Sequence, residues 1–233
     1  MILALTLDLD DTLWAVGPVI ERAEQALDCF LRERCPRTAA RYPVAAMREL
    51  RDRIAREHPH LAHDFSAQRR LTLEFALREC EEDLAHAEAA FEAFYAARNQ
   101  VQLYPDVDAA LPRLAAGRPL AALTNGNADL SRIGLAAHFR FALGAREHGA
   151  AKPDPSIFLA ACRRLGVPPT AVLHIGDDPW LDVAGAAGAG LATCWINRHG
   201  LRWPEELAPP DLAFPDLAAL ADHLDNSPQW KTA

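Results

Sequence analysis

Apolar and polar positions follow two different periods along this chain. Ile2, Leu3, Ala4, Leu5 and Leu7 form a short apolar run, the texture of a strand buried on both faces. From Pro18 to about Arg34 the period changes to that of a helix, with Val19, Ile20, Ala23, Leu27, Phe30 and Leu31 on one stripe. Pro18 suits its first turn, and Pro36 lies just beyond its end. A second helical stripe carries Val44, Met47, Leu50 and Ile54 and stops before Pro59. A third starts near Ser66, read as an N-cap, and carries Leu71, Phe75 and Leu77; a fourth carries Ala87, Phe91, Phe94 and Tyr95. No strand pattern occurs between Val16 and Gln102, so four amphipathic helices in a row predict a small bundle.

After Tyr104 short apolar runs alternate with helical stripes. Pro105-Asp106 opens a helix through Val107, Leu111 and Leu114, followed by a run from Pro119 to Leu123. A helix through Leu130 and Ile133 precedes a run from Phe139 to Leu143. Lys152-Pro153-Asp154-Pro155 leads into a helix carrying Ile157, Phe158, Ala161 and Leu165, closed by Gly166. Ala171–Ile175 reads as a strand, Asp182–Gly188 as a small-residue helix and Leu191–Ile196 as the last buried strand. The tail after Trp203 reads as an edge element and a short helix at Asp216–Leu224. Strands and helices in alternation predict an α/β fold with a doubly wound parallel sheet, Rossmann-like, interrupted after its first strand by an all-helical cap. Residues 1–15 and 103–233 are expected to form the core and 16–102 the cap, hinged near Ala15–Gly17 and Asn99–Leu103.

Composition narrows the field. The 233 residues are half apolar and 24% charged, an ordinary globular balance. A formal charge of −8 argues against a nucleic-acid surface, which needs basic patches to neutralise phosphates. Cys29, Cys35, Cys80, Cys162 and Cys194 are odd in number, scattered and never spaced as Cys-x-x-Cys, so reduced thiols are expected. No apolar run approaches the length of a membrane span, and no charged n-region precedes the first run. A cytoplasmic location is expected.

The polar residues of interest stand where the apolar runs end. Asp8, Asp10 and Asp11 follow the first strand, with Thr12 beside them; in extended backbone Asp8 and Asp10 would face one site. Three carboxylates at the end of a buried strand are costly unless a cation neutralises them. Thr124 and Asn125 end the second run, Lys152 follows the fourth stretch, and Asp177, Asp178 and Asp182 follow the strand at 171–175. In an open parallel sheet the carboxyl ends of the strands converge on one crevice. Such a crevice would suit Mg²⁺, a hard cation that keeps several waters and a substrate phosphate, with Thr124, Asn125 and Lys152 as donors to phosphate oxygens.

In order and context these segments resemble the haloacid dehalogenase superfamily, whose four motifs match Asp8-Leu9-Asp10-Asp11-Thr12, Thr124-Asn125, Lys152 and Gly176-Asp177-Asp178 with Asp182. The resemblance implies Asp8 as nucleophile, Asp10 as general acid and base, and Mg²⁺ held by the Asp8 carboxylate, the Asp10 carbonyl and Asp177. It implies Leu9, Thr124, Asn125 and Lys152 at the phosphoryl group, with Lys152 balancing its charge. Thr12 is expected to fix the turn, Asp182 to orient Lys152 or a metal-bound water and not to ligate the ion directly, and Asp178 to serve either as such an orienting group or as a ligand. Family members that break carbon–halogen bonds lack an acid at the Asp10 position, so a phosphatase is expected over a dehalogenase. Thr124-Asn125-Gly126-Asn127-Ala128, Lys152-Pro153 and the stretch from Leu173 to Asp178 are similar to the bacterial flavin mononucleotide phosphatase subfamily, which also acts on the ribitylaminouracil phosphate of riboflavin synthesis. In the cap the likeness touches Pro18-Val19-Ile20, His63-Asp64 and Arg69, with a departure at Gly17.

The function expected is therefore Mg²⁺-dependent hydrolysis of a small phosphorylated metabolite, with neither nucleic acid nor membrane as partner and the chain a monomer or weak homodimer. A broad-specificity phosphatase, a phosphomutase, a dehalogenase and a non-catalytic binding protein are the alternatives. Other polar residues are read more plainly. His63, Asp64 and Arg69 serve cap packing or reach the substrate; His174 is a hydrogen-bonded core residue; His148 belongs to its loop or touches the site. Trp180 and Trp14 either stack on a substrate or pack. The stretch Arg48–Arg56 is a solvated helix face.

Overall fold

The computed structural model describes residues 1–227. Its sheet has six strands, all parallel: β1 (Ala4–Leu7), β2 (Leu120–Thr124), β3 (Ala142–Gly144), β4 (Val172–Gly176), β5 (Ala192–Ile196) and β6 (Leu212–Phe214), in the spatial order β3-β2-β1-β4-β5-β6. β1 sits centrally, with Leu5 in register with Leu120 on one side and Leu173 on the other. Every residue of β1, β2 and β4 is buried, which is why these strands read as largely apolar runs, and the two polar side chains among them in β1 and β4, Thr6 and His174, hydrogen-bond each other. The order reverses direction at β1: the chain winds outward through β2 and β3, then returns to β4 on β1's other edge. That switch point lies where Asp8 leaves the sheet.

The intervening helices are α6 (Val107–Gly117), α7 (Leu130–Ile133), α8 (Ala145–His148), α9 (Pro155–Leu165), α10 (Gly185–Gly188) and α11 (Leu217–Asn226). α9 is delimited as its sequence suggests. Asp154 accepts the Ser156 N–H at its start, and Gly166 closes it in the left-handed region at φ 73°. It buries Ile157, Phe158, Ala161 and Cys162 against β2, β4 and α10 residues in one cluster.

Between β1 and β2 lies the helical cap region: α1 (Val16–Arg34), α2 (Pro36–Arg41), α3 (Val44–Glu57), α4 (Phe65–Glu79) and α5 (His86–Arg98). The chain divides into two compact units, one comprising Met1–Ala15, Gln102–Gly126 and the chain from Leu130 on, the other Val16–Val101 with Asn127–Asp129. The helical unit has its own core: Ala23, Leu27 and Leu31 of α1 meet Met47, Leu50 and Ile54 of α3, Leu73 and Leu77 of α4, and Phe91 and Phe94 of α5.

Pro36 lies just beyond α1, as expected, and there opens α2 at its first turn, where its missing N–H costs nothing. Two local expectations need correction here. α4 is capped by Asp64, whose carboxylate accepts the Ala67 N–H at 2.9 Å; Ser66 is already inside the helix. The Arg48–Arg56 stretch is not wholly solvated, because Arg48 and Arg51 turn to the buried Glu24 of α1, with Arg48 Nε donating at 2.7 Å. Among the described residues, no helix is long and apolar enough to cross a membrane.

Candidate active site

β1 stops at Leu7, so Asp8 and Asp10 do not extend the strand's alternation. Asp8 is anchored by its N–H on the Ile175 carbonyl at 2.9 Å, and its carboxylate is buried. Asp10, Asp11 and Thr12 form a turn that Asp11 makes possible by adopting a left-handed φ of 57°. Leu9 is fully buried, and its carbonyl accepts the Leu13 N–H at 2.8 Å within the same turn.

Lys152 is the centre of the charge network. Its Nζ donates to Asp8 Oδ1 at 2.5 Å and to Asp182 Oδ1 at 2.6 Å, with all three groups buried. Asn125 fixes the lysine's backbone: its amide oxygen accepts the Lys152 N–H at 2.7 Å and its Nδ2 donates to the Lys152 carbonyl at 2.9 Å. Thr124, at the end of β2, accepts the Gly126 N–H at 2.9 Å through its hydroxyl. The Thr12 hydroxyl is shared between Asp8 Oδ2 at 3.2 Å and Asp177 Oδ1 at 3.0 Å, tying the first strand's end to the fourth's.

Asp182 is held by more donors than either other acid. Its Oδ1 also accepts His174 Nε2–H at 3.0 Å, and its Oδ2 accepts the Asp178 N–H at 3.1 Å. Asp178 spends its own carboxylate on the Trp180 and Leu181 N–H groups, capping a π-helical turn at Pro179–Ala184. The close approach of Asp182 explains Gly176: a Cβ there would stand 2.3 Å from Asp182 Cγ.

These neighbours decide the charges. Burial works against the Lys152 ammonium, but Asp182 and Asp8 outweigh it and hold its pKa above the ordinary range. Burial likewise opposes the Asp182 carboxylate, yet Lys152 and the His174 N–H keep it well below its usual value. His174 is pushed down by burial against the pull of Asp182, so it is neutral: Nε2–H donates to Asp182 and Nδ1 accepts the Thr6 hydroxyl at 2.9 Å. Asp177 is raised to about 7, first by burial and then by Asp182, with the Thr12 hydroxyl offsetting part of the rise. Asp8 is raised well above its usual value by burial, with Asp182 and Asp177 adding to it against Lys152.

Oxygens of Asp8, Asp177 and Asp182 lie within 4.8 Å of one another, a group able to hold a metal ion. Asp8 and Asp182 share the Lys152 ammonium while Asp177 meets only the Thr12 hydroxyl among the described residues, so negative charge is in surplus across the cluster. An oxygen-only donor set with surplus negative charge fits a hard divalent cation. Asp182, with both oxygens occupied, is placed to hold Lys152.

The sequence pattern brings Asp8, Asp10, Thr12, Thr124, Asn125, Lys152, Asp177, Asp178 and Asp182 to the carboxyl ends of β1, β2 and β4 and the loop before α9. It did not mark three further participants. His174 reaches the network from within β4. Trp195 donates its Nε1–H to the Asp177 carbonyl at 2.8 Å. Arg198, just after β5, donates through Nε and Nη2 to the Thr12 carbonyl at 3.0 and 2.8 Å, and pairs with Asp106 through Nη1 and Nη2. Its place at a strand's carboxyl end was the available signal. Of the plainer residues, His148 pairs with Ser156 Oγ at 2.8 Å within its own region, Arg69 lies 3.6 Å over the Phe94 ring, and Trp180 is exposed.

A six-stranded parallel sheet with helices inserted after the first strand, and an acid–lysine cluster at the strand ends, define a Rossmann-like α/β protein with an acidic site at its strand ends. The chain belongs to the haloacid dehalogenase-like hydrolases, whose family model matches residues 2–190. Among its relatives is the 5-amino-6-(5-phospho-D-ribitylamino)uracil phosphatase YigB of Escherichia coli, 36% identical over 93% of this chain and 94% of that protein. A phosphoserine phosphatase of Thermus thermophilus is 42% identical over 54% of this chain and 53% of its own. The crystal structure of a 2-haloacid dehalogenase from Pseudomonas syringae superposes with a TM-score of 0.89, at 42% identity, covering 97% of this chain and 99% of that one.

Proposed function

We propose that this hydrolase cleaves a small phosphate monoester through an aspartyl-phosphate. Asp8 attacks phosphorus, forming the Asp8 O–P bond as the ester P–O bond breaks, and Asp10 gives its proton to the departing alkoxide. Asp10 then takes a proton from the water that attacks the acyl phosphate, releasing phosphate and restoring the Asp8 carboxylate. Thr124, Asn125 and the Leu9 backbone orient the phosphoryl oxygens, and Lys152 balances their charge while Asp182 holds the ammonium in place. Asp8, Asp177 and the Asp10 carbonyl would hold Mg²⁺, which reduces repulsion between the anionic nucleophile and the phosphate. In this scheme the sheet-bearing unit carries the chemistry and the helical unit selects the substrate.

The observation that carries the scheme is the buried Lys152–Asp8 contact beside Asp177, with a second acid, Asp10, two residues from the nucleophile. The test is hydrolysis of p-nitrophenyl phosphate. Activity that requires Mg²⁺, is lost in EDTA and is lost in Asp8→Asn supports it; activity indifferent to both sinks it.

For the substrate, similarity to YigB along nearly the whole chain favours the ribitylaminouracil phosphate, and the motif resemblance at Thr124–Ala128, Lys152-Pro153 and Leu173–Asp178 adds FMN as a second candidate. A panel of phosphorylated metabolites assayed with Mg²⁺ should show FMN turned over well above sugar phosphates; a flat profile points to a broad-specificity phosphatase. The likeness to the Pseudomonas syringae dehalogenase gives a second reading, carbon–halogen cleavage. Asp10 argues against it, because a departing halide needs no proton. Halide release from 2-chloropropionate in place of phosphatase activity would reverse that preference.

A further inference from the structure

Trp14 is completely buried, yet an indole N–H cannot be buried without an acceptor at no cost. Its acceptor is a carboxylate: Nε1–H donates to Asp10 Oδ1 at 2.8 Å. The backbone around this bond is fixed from several directions. Trp14 forms isolated bridges with Asp10 and Leu103, its carbonyl accepts the Asp11 N–H at 2.8 Å, and the Leu13 carbonyl accepts the Tyr104 N–H at 2.9 Å. The Thr12 carbonyl between them takes two bonds from Arg198. The indole therefore cannot drift without breaking the turn, and its N–H has one direction in which to point.

We propose that Trp14 is the positioning residue for Asp10, locking the rotamer of that carboxylate for proton transfer. The assignment rests on Asp10 being the general acid and base. An aspartate side chain has two torsions, and its proton must lie within hydrogen-bond reach of the departing oxygen as the P–O bond breaks. General acid catalysis is worth roughly 10²–10⁴-fold, and only in the correct geometry. A buried donor on one carboxylate oxygen fixes where the other points. Shape alone would be served by any large apolar side chain; a hydrogen bond aimed at Asp10 is what distinguishes tryptophan here.

The experiment compares leaving groups in the full-length enzyme with Mg²⁺. Glycerol 2-phosphate releases an alkoxide that needs a proton, whereas p-nitrophenyl phosphate releases an anion that leaves without one. Trp14→Phe keeps an aromatic ring and removes the donor. It is expected to lower kcat/KM, which reports the steps through departure of the leaving group, by about 10- to 100-fold on glycerol 2-phosphate and by less than about threefold on p-nitrophenyl phosphate, whereas kcat, which includes the acyl-phosphate hydrolysis common to both, can fall on either. In an Asp10→Asn background the same change should add nothing. Should Trp14→Phe fail to fold, β-(3-benzothienyl)alanine placed at this position keeps the two-ring shape without the N–H and should show the same split. Equal losses of kcat/KM on both esters, or a further loss on top of Asp10→Asn, would overturn the role of Trp14 alone. Full activity of Asp10→Asn on glycerol 2-phosphate would instead remove the acid itself, and the role of Trp14 with it.

Discussion

Lys152 donates to Asp8 and Asp182 at nearly equal distance, 2.5 and 2.6 Å, but the two acids are not equivalent. Asp182 also receives the His174 and Asp178 N–H groups, whereas among the described residues Asp8 receives besides Lys152 a hydroxyl from Thr12 that it shares with Asp177. The donor count leaves Asp182 fixed and anionic, and leaves Asp8 with charge to direct elsewhere. One carboxylate anchors the lysine, and in the proposed scheme the other attacks phosphorus.

Lys152→Met should therefore damage stability and activity together. It leaves two buried carboxylates facing each other without their cation, a change that costs about 3–5 kcal/mol when one partner of a buried pair is removed. Urea unfolding of the variant against the parent measures the first effect, and p-nitrophenyl phosphate hydrolysis the second. A variant as stable as the parent would show that the pairing in the structure is not formed in solution.

Gly176→Ala tests the anchor from the other side. The added methyl would stand 2.3 Å from Asp182 Cγ, so Asp182 must move and Lys152 with it. Overpacking of this kind costs roughly 1–3 kcal/mol. Displacement of the charged group by a fraction of an ångström to an ångström should lower kcat by about 10- to 100-fold. Kinetics of a soluble Gly176→Ala enzyme check this; unchanged kcat would mean that the position of Asp182 does not matter.

The Arg198–Asp106 pair gives a pH signature away from the acid cluster. Burial raises the Asp106 pKa, but Arg198 and the Leu217 N–H more than offset it, so the folded value lies below 3.8. A carboxyl depressed in the folded state adds stability at pH above its unfolded pKa and loses that contribution as pH falls through the folded one. Asp106→Asn should therefore be less stable than the parent by about 1.5–3 kcal/mol at neutral pH, the worth of hydrogen bonds to a charged group. The gap should hold steady down to pH 5 and narrow below 3.8. Parallel urea titrations across that range check it; a gap that widens in acid would contradict the sign.

Asp64→Ala separates the two uses the cap sequence allows for this residue. As the N-cap of α4 it should contribute about 1 kcal/mol to stability and nothing specific to substrate affinity. The expected result is a lower melting temperature with KM for FMN unchanged; a raised KM at unchanged stability would assign Asp64 to substrate binding instead.

Much of this was readable before any coordinates. Ala4–Leu7 and Ala171–Ile175 announced buried strands because each is covered on both faces, so nearly every position is apolar and the polar exceptions, Thr6 and His174, satisfy each other. Asp154, Pro155 and Gly166 marked the ends of α9 because backbone groups at helix ends need those side chains or conformations. Asp64 and Ser66 both carry capping chemistry, and nothing local says which one the tertiary structure will place at the helix start.

The residues that support the site were hidden for a different reason. His174 looks like any residue of a buried strand, Arg198 like any charge in a loop, and Trp14 like core packing. The sequence by itself determined the order of elements, the family and the acids, hydroxyls and lysine at the strand ends, because periodicity and strand termini are local properties of the chain. Only the tertiary structure decided how they divide their work. Whether an acid is anchored, surplus or aimed depends on which donors distant segments bring to it, and Lys152 lies 144 residues from Asp8.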